Sequence, residues 1–193
     1  MISEADYNYF KKNGYLVKKT SKNKDINYIR DKIINSILKI KPILKKKTLD
    51  KTLFFEKFHK YISLKELNSI RVTVIKDINR DKKVFECYYN VAREVLDFFV
   101  GNEILMQNQI SLSIQMPNDS KSQLPMHSDI HAGESPFEVV IWIPLMNIGR
   151  SSHSMFIASP KENKILNKEV INTKKLSLDQ IYKKHKKKFK FIE

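Results

Sequence analysis

Cysteine is almost missing from this 193-residue sequence, where Cys87 stands alone. One thiol cannot form an internal disulfide, so the core has to hold the fold, and a reducing compartment, the cytoplasm, is expected. Glycine occurs four times, proline six times and tryptophan once, which excludes collagen-like and Pro/Gly-rich low-complexity architectures. No apolar run approaches the roughly 18 residues of a membrane span. The N-terminal MISEADYNYF is acidic and amphipathic, without the basic stub and apolar block of a signal peptide. Arginine is scarce too: Arg30, Arg71, Arg80, Arg93 and Arg150 are the only ones among 36 basic residues. That scarcity bears on the net charge of +15, which would otherwise point to nucleic acid. Arginine is the better bidentate phosphate reader, and here the lysines accompany the many Ile and Asn that AT-rich coding produces unselected. No nucleic-acid partner is expected, and the run KKHKKKFKF at 183–191 reads as a solvated face.

What is present is a substantial apolar fraction, 41% of residues, enough for one domain that buries roughly 70% of its unfolded surface. Ser3 is a candidate N-cap for a helix over 3–13 that carries Tyr7 and Phe10 and stops at Gly14. YLVKKT at 15–20 reads as a brief strand. Ile26, Ile29, Ile33, Ile37 and Ile40 repeat at three and four, predicting an amphipathic helix that ends near Pro42. Phe54, Phe55 and Phe58 mark a shorter one. Ser63-x-x-Glu66 is a capping box opening a helix with Leu67, Ile70, Val74 and Ile78 inward. The next buries Val84, Tyr88, Val91, Val95 and Phe99 and stops at Gly101.

Near residue 104 the period changes from 3.6 to 2. ILMQNQISLSIQM alternates, PNDSKSQLP is a turn-rich loop, and the HSDIH segment, FEVVIWIPLM and SMFIASP follow as short apolar stretches. Antiparallel strands packed as a sandwich or jelly roll are the expectation. The chain thus reads as one α+β domain over 1–193, helical over 1–102 and jelly-roll strands over 103–193. KFKFIE at the end resembles the start of a further strand.

Within that half, His127 and Asp129 are two apart. On a strand they project from one side about 7 Å apart along the chain, from where both can bend onto one ion at bonds of roughly 2.0–2.2 Å. A histidine nitrogen beside a carboxylate oxygen, with positions left open, is the ligand set of non-haem Fe(II) oxygenases. By itself H-x-D is a common tripeptide, and a surface histidine beside an acid is the plain alternative. Ser113 and Gln115 share one strand face, where Gln115 is either a polar donor to a ligand or a solvent-facing residue. Trp142 is either a pocket wall or a core tryptophan.

FKKNGYLVKK at 10–19 resembles the opening of phytanoyl-CoA dioxygenase-like proteins. SLSIQMPNDSKSQLPMHSDIHAGESPFEVVIWIPL, with SMFIASP after it, is similar to a bacterial branch found among surface-carbohydrate genes, the sporadic carbohydrate cluster 2-oxoglutarate-Fe(II) oxygenases. The resemblance implies a double-stranded β-helix (jelly roll, cupin-like) covered by N-terminal helices, with Fe(II), 2-oxoglutarate and O2 as reactants. It implies a glycan-precursor or nucleotide-sugar substrate. It makes His127 and Asp129 iron ligands and sets Trp142 beside the 2-oxoglutarate, with Gln115 a further contact.

The same pattern requires a distal histidine and, about ten residues on, an arginine that clamps the ketoacid carboxylate. After Asp129 the histidines are His131, His153 and His185, and no arginine follows Arg150. His131 suits a supporting or substrate-facing place, His153 lies close in sequence for a distal ligand, and His185 sits inside the lysine run. The expectation is therefore that the chain ends before the strands that complete the site, with the jelly roll incomplete at its C-terminus. The competing reading is a catalytically inactive or truncated jelly-roll protein that binds carbohydrate or a protein partner.

Overall fold

In a computed structural model of the chain, residues 2–119, 127–148, 155–172, 176–185 and 190–192 are described. Helices dominate them. In order they are α1 (Glu4–Asn13), α2 (Asn23–Ile40), α3 (Lys51–Glu56), α4 (Leu64–Asn79), α5 (Lys82–Phe99), α6 (Pro160–Asn172) and α7 (Leu178–His185). The described strands are two three-residue pieces, β1 (Met155–Ile157) and β2 (Lys190–Ile192), paired antiparallel with Phe156 opposite Phe191. This overturns the expected α+β jelly roll: the fold is helical, with no barrel or sandwich among the described residues.

The chain packs as two compact units. One comprises Met1–Ile2, Lys18–Gln123 and Ile143–Asn147; the other comprises Ser3–Val17, Leu124–Trp142 and Ile148–Glu193.

In the first unit α2 packs against both α4 and α5. The three-and-four spacing predicted this: Ile29, Ile33 and Ile37 are buried, with Ile34 widening the stripe. From α4 come Leu67, Ile70, Val74 and Ile78, all buried. The capping box is made as expected, with Ser63 N donating to Glu66 Oε2 at 2.9 Å. That bond, a second from the Ser63 hydroxyl and an ion pair with Lys41 at 2.8 Å hold Glu66 down at a pKa of about 2, Lys41 contributing most. Phe54 is fully enclosed, its ring edge-on to Phe55 and Phe58 and stacked on Tyr61. On α5 the buried line is Val84, Cys87, Ala92 and Leu96, while Val91, Val95 and Phe99 are only half-buried. The predicted face was therefore rotated: Val84 and Cys87 join the core cluster shared with α2 and α4.

Charged groups tie the helices at the margin of this core. Ser36, itself buried, donates to Asp77 at 2.7 Å, and Lys39 reaches the same carboxylate at 2.6 Å. Asp81 caps α5 and takes Lys32 at 2.6 Å and the Tyr28 hydroxyl at 3.2 Å. Lys39, then Ser36, pull the Asp77 carboxyl below its usual range, and Lys32 does most of the same for Asp81.

The residues expected to be strands split into two cases. SMFIASP and KFKFIE supply β1 and β2, whereas residues 15–20 carry no strand, and neither do 104–116 or 137–146. Yet the period-2 alternation is real. Ile110, Leu112 and Ile114 turn toward the helical core and Met116 is buried, while Ser111, Ser113 and Gln115 face out. The partners of this backbone are helix side chains. Asn79 accepts from Ile110 N at 2.6 Å and donates to Ile110 O at 2.9 Å, the two bonds a neighbouring strand would make. Arg71 donates to Ile114 O, and Arg30 Nε to Leu145 O at 2.9 Å.

In the second unit α1 is capped as predicted, by Ser3 at its start and by left-handed Gly14 (φ 78°) at its end. A β-carbon on Gly14 would sit 3.9 Å from Pro160, so space is available and the positive φ is what favours glycine. Leu166 of α6 and Ile181 of α7 form a small core with Ala158 and Val170 against it. Both helices begin with capping pairs, Ser159 with Glu162 and Ser177 with Gln180.

Candidate metal-ligand pair

His127 and Asp129 do come together, though not on a strand. Ser128 between them is extended (φ −130°, ψ 133°), and one extended residue suffices to put its two neighbours on the same side. Asp129 then opens a short 3-10 turn, Asp129–Ala132, that Gly133 closes in the left-handed region at φ 96°. The turn is held by His131 N donating to Ser128 O at 3.0 Å and Glu134 N to Asp129 O at 3.0 Å. The result places His127 Nε2 3.5 Å from Asp129 Oδ1, both side chains close to half exposed.

Two metal bonds of about 2.1 Å at an octahedral right angle span about 3.0 Å. The pair stands at 3.5 Å, so a small rotation of either side chain closes the gap. The setting is anionic. Glu138 has a carboxyl pushed above its ordinary range, by local desolvation first and then by Glu134 and Asp129. A cation here would relieve that repulsion.

The rest of the expected site is placed as follows. Among the described residues no three His, Cys, Asp or Glu side chains gather to hold an ion. His131 is half-buried within the turn. His153 and Arg150 lie outside the described residues. His185 departs from the solvated face expected of it: it is only 7% exposed, at the end of α7, and its Nε2 pairs with Glu169 of α6. Lys184 joins that carboxylate at 2.6 Å, and the two contacts, Lys184 foremost and then His185, draw the Glu169 pKa down. The sequence signal for this was Ile181 and His185 four apart behind a Ser177-x-x-Gln180 cap, which puts both on one helix face.

Gln115 lies exposed in the outward row with Ser111 and Ser113. Trp142 is 48% exposed, in a segment without regular structure. Three of the five arginines are committed: Arg30 and Arg71 to backbone carbonyls and Arg93 to Asp97. Two concavities are described on the first unit, one lined by Ile2, Glu94, Asp97 and Phe98 and one around Leu64, Asn68 and Arg71; neither contains a candidate ligand. No helix among the described residues is long and apolar enough to cross a membrane. No protein-family model, no curated protein and no solved structure matches the chain.

Proposed function

We propose that the chain contributes His127 and Asp129 to an Fe(II) centre of the 2-oxoglutarate-dependent oxygenase kind, with a glycan-precursor or nucleotide-sugar substrate and the cytoplasm as its place of work. The observation that carries this reading is the 3.5 Å approach of an imidazole nitrogen and a carboxylate oxygen across an extended residue. The H-S-D and S-P-F-E-x-x-x-W resemblance supplies the identity of the metal and the co-substrate. Fe(II) so held would supply the oxidising chemistry, while the protein contributes ligand placement and charge.

The residues fit that group in part. One nitrogen and one oxygen donor match the metal, but a third ligand and a carboxylate clamp are not assembled among the described residues. Two donors hold a divalent ion weakly, so Fe(II) should exchange readily with solvent.

The second reading is a binding protein without turnover. It is favoured by Trp142 and Phe137, exposed at 48% and 90%, because flat aromatic faces in water suit stacking against a sugar or a partner surface. Succinate release from 2-oxoglutarate under air separates the two. With no third ligand or clamp assembled among the described residues, the oxygenase reading expects only slow release, dependent on added Fe(II) and lost in Asp129→Ala. Metal binding without any succinate leaves the binding protein, and succinate release untouched by Asp129→Ala overturns the site.

A further inference from the structure

Between α2 and α3 the chain runs through a 3-10 segment, Pro42–Thr48, with Leu49 continuing in helical geometry (φ −60°, ψ −41°). Side chains three apart eclipse in a 3-10 helix, so Ile43, Lys46 and Leu49 fall in one row. Leu44, off that row, is buried and anchors the segment to the core. Ile43 and Leu49 are 84% and 89% exposed, at a rise of about 2.0 Å per residue roughly 12 Å apart. Isolated exposed aliphatics are ordinary, but two on one row with Lys46 between them, and Lys45 and Lys47 exposed on the rows to either side, are a pattern.

The lysines of this segment differ from those on either side. Lys39 pairs with Asp77, Lys41 with Glu66 and Lys51 with Asp31. Lys45, Lys46 and Lys47 are exposed, with no carboxylate among the described residues at ion-pair distance. The nearest acid in sequence, Asp50, is turned to cap α3 through Leu53 N at 2.9 Å. The flanking charges are neutralised and the central three are left free.

We propose that this segment is a docking site for an anionic lipid surface, with Ile43 and Leu49 entering the headgroup boundary and Lys45, Lys46 and Lys47 meeting the phosphates and carboxylates above it. Charge complementarity selects the partner, since a polybasic run gains from the negative potential of such a surface and the aliphatic tips gain from leaving water. Nucleic acid would use the lysines but leave Ile43 and Leu49 in water, and the segment has neither arginine nor aromatic side chains to read or stack on bases. A second copy would bring two lysine triplets face to face. The proposal is independent of the metal pair, which belongs to the other packing unit.

The test is co-sedimentation of the full chain with phosphatidylcholine vesicles, with and without phosphatidylserine, at two salt concentrations. Binding is expected only with phosphatidylserine and to weaken with salt. Lys45→Gln/Lys46→Gln/Lys47→Gln should reduce affinity roughly a hundredfold, at about one tenfold step per 1.4 kcal/mol and about 1 kcal/mol per lysine. Ile43→Ser/Leu49→Ser, which leaves charge unchanged, should reduce it at least several-fold. Removing the same charge elsewhere, in Lys161→Gln/Lys164→Gln/Lys168→Gln, should change it far less; those lysines are exposed on α6. Circular dichroism confirms that each variant folds. The idea is overturned by absence of phosphatidylserine-dependent binding, by an equal loss in the control triple, by indifference to Ile43→Ser/Leu49→Ser, or by tighter binding to random duplex DNA than to vesicles.

Discussion

Asn79→Ala removes the side chain that stands in for a strand neighbour, and its cost follows from the geometry. Two bonds to Ile110 disappear, at 2.6 and 2.9 Å, and Ile110 is half-buried against the core. A hydrogen bond is worth a net ~1 kcal/mol, and more when its partner stays buried without replacement. Water can reach a half-buried amide, so the two losses come to about 2 kcal/mol. Alanine returns about 0.5 kcal/mol through better helix propensity at this last position of α4. The net loss is about 1.5 kcal/mol, which for a chain of this size lowers Tm by roughly 3–6 °C. Urea melts give the stability, and hydrogen exchange at the Ile110 amide locates it. An unchanged melt together with an Ile110 amide that exchanges no faster would show that Asn79 does not hold this segment in place of a strand.

Phe54→Ala, at a fully enclosed position, should cost about 3–5 kcal/mol in the same urea assay, more than any single surface ion pair. Glu66→Gln tests the charge on Glu66, and above all its pair with Lys41, through pH. The folded pKa, about 2, lies below the ordinary 4.5, so its stabilisation is present above pH 4.5 and is lost as pH falls toward 2. The Tm difference between parent and Glu66→Gln should therefore shrink over that window, and a constant difference contradicts the assignment. Cys87 is buried and its thiol pushed up to about 11, chiefly by that burial. A disulfide reagent at neutral pH should label it only after denaturant is added.

The helical half was legible because its two kinds of signal agreed. Ile29, Ile33 and Ile37 repeat at the period a helix needs, and Ser3, Ser63 and Gly14 mark ends that the backbone uses as caps. On α5 large apolar residues suggested a face, but the buried line runs through Cys87 and Ala92 instead. The second half misled for a different physical reason. Alternation at 110–116 reports which side chains meet the core, and it is silent on what completes the backbone. Here Asn79, Arg71 and Arg30 do so, from helices that no local signal pairs with this segment. The capping pairs Ser159/Glu162 and Ser177/Gln180 were readable and would have announced α6 and α7. Of the candidate ligands, the spacing of His127 and Asp129 was informative while the expected strand was not, since a single extended residue and a turn achieve the same approach.

Anaerobic titration of the chain with Fe(II), followed by dialysis and metal analysis, decides whether His127 and Asp129 hold a metal. One weak Fe(II) site per chain is expected, saturable in the titration, emptied by dialysis, and absent from both His127→Ala and Asp129→Ala. His185→Gln should leave it unchanged, because His185 Nε2 is engaged with Glu169. Fe(II) binding that survives the loss of both His127 and Asp129, or that depends on His185, would contradict the assignment of the metal to the H-x-D pair.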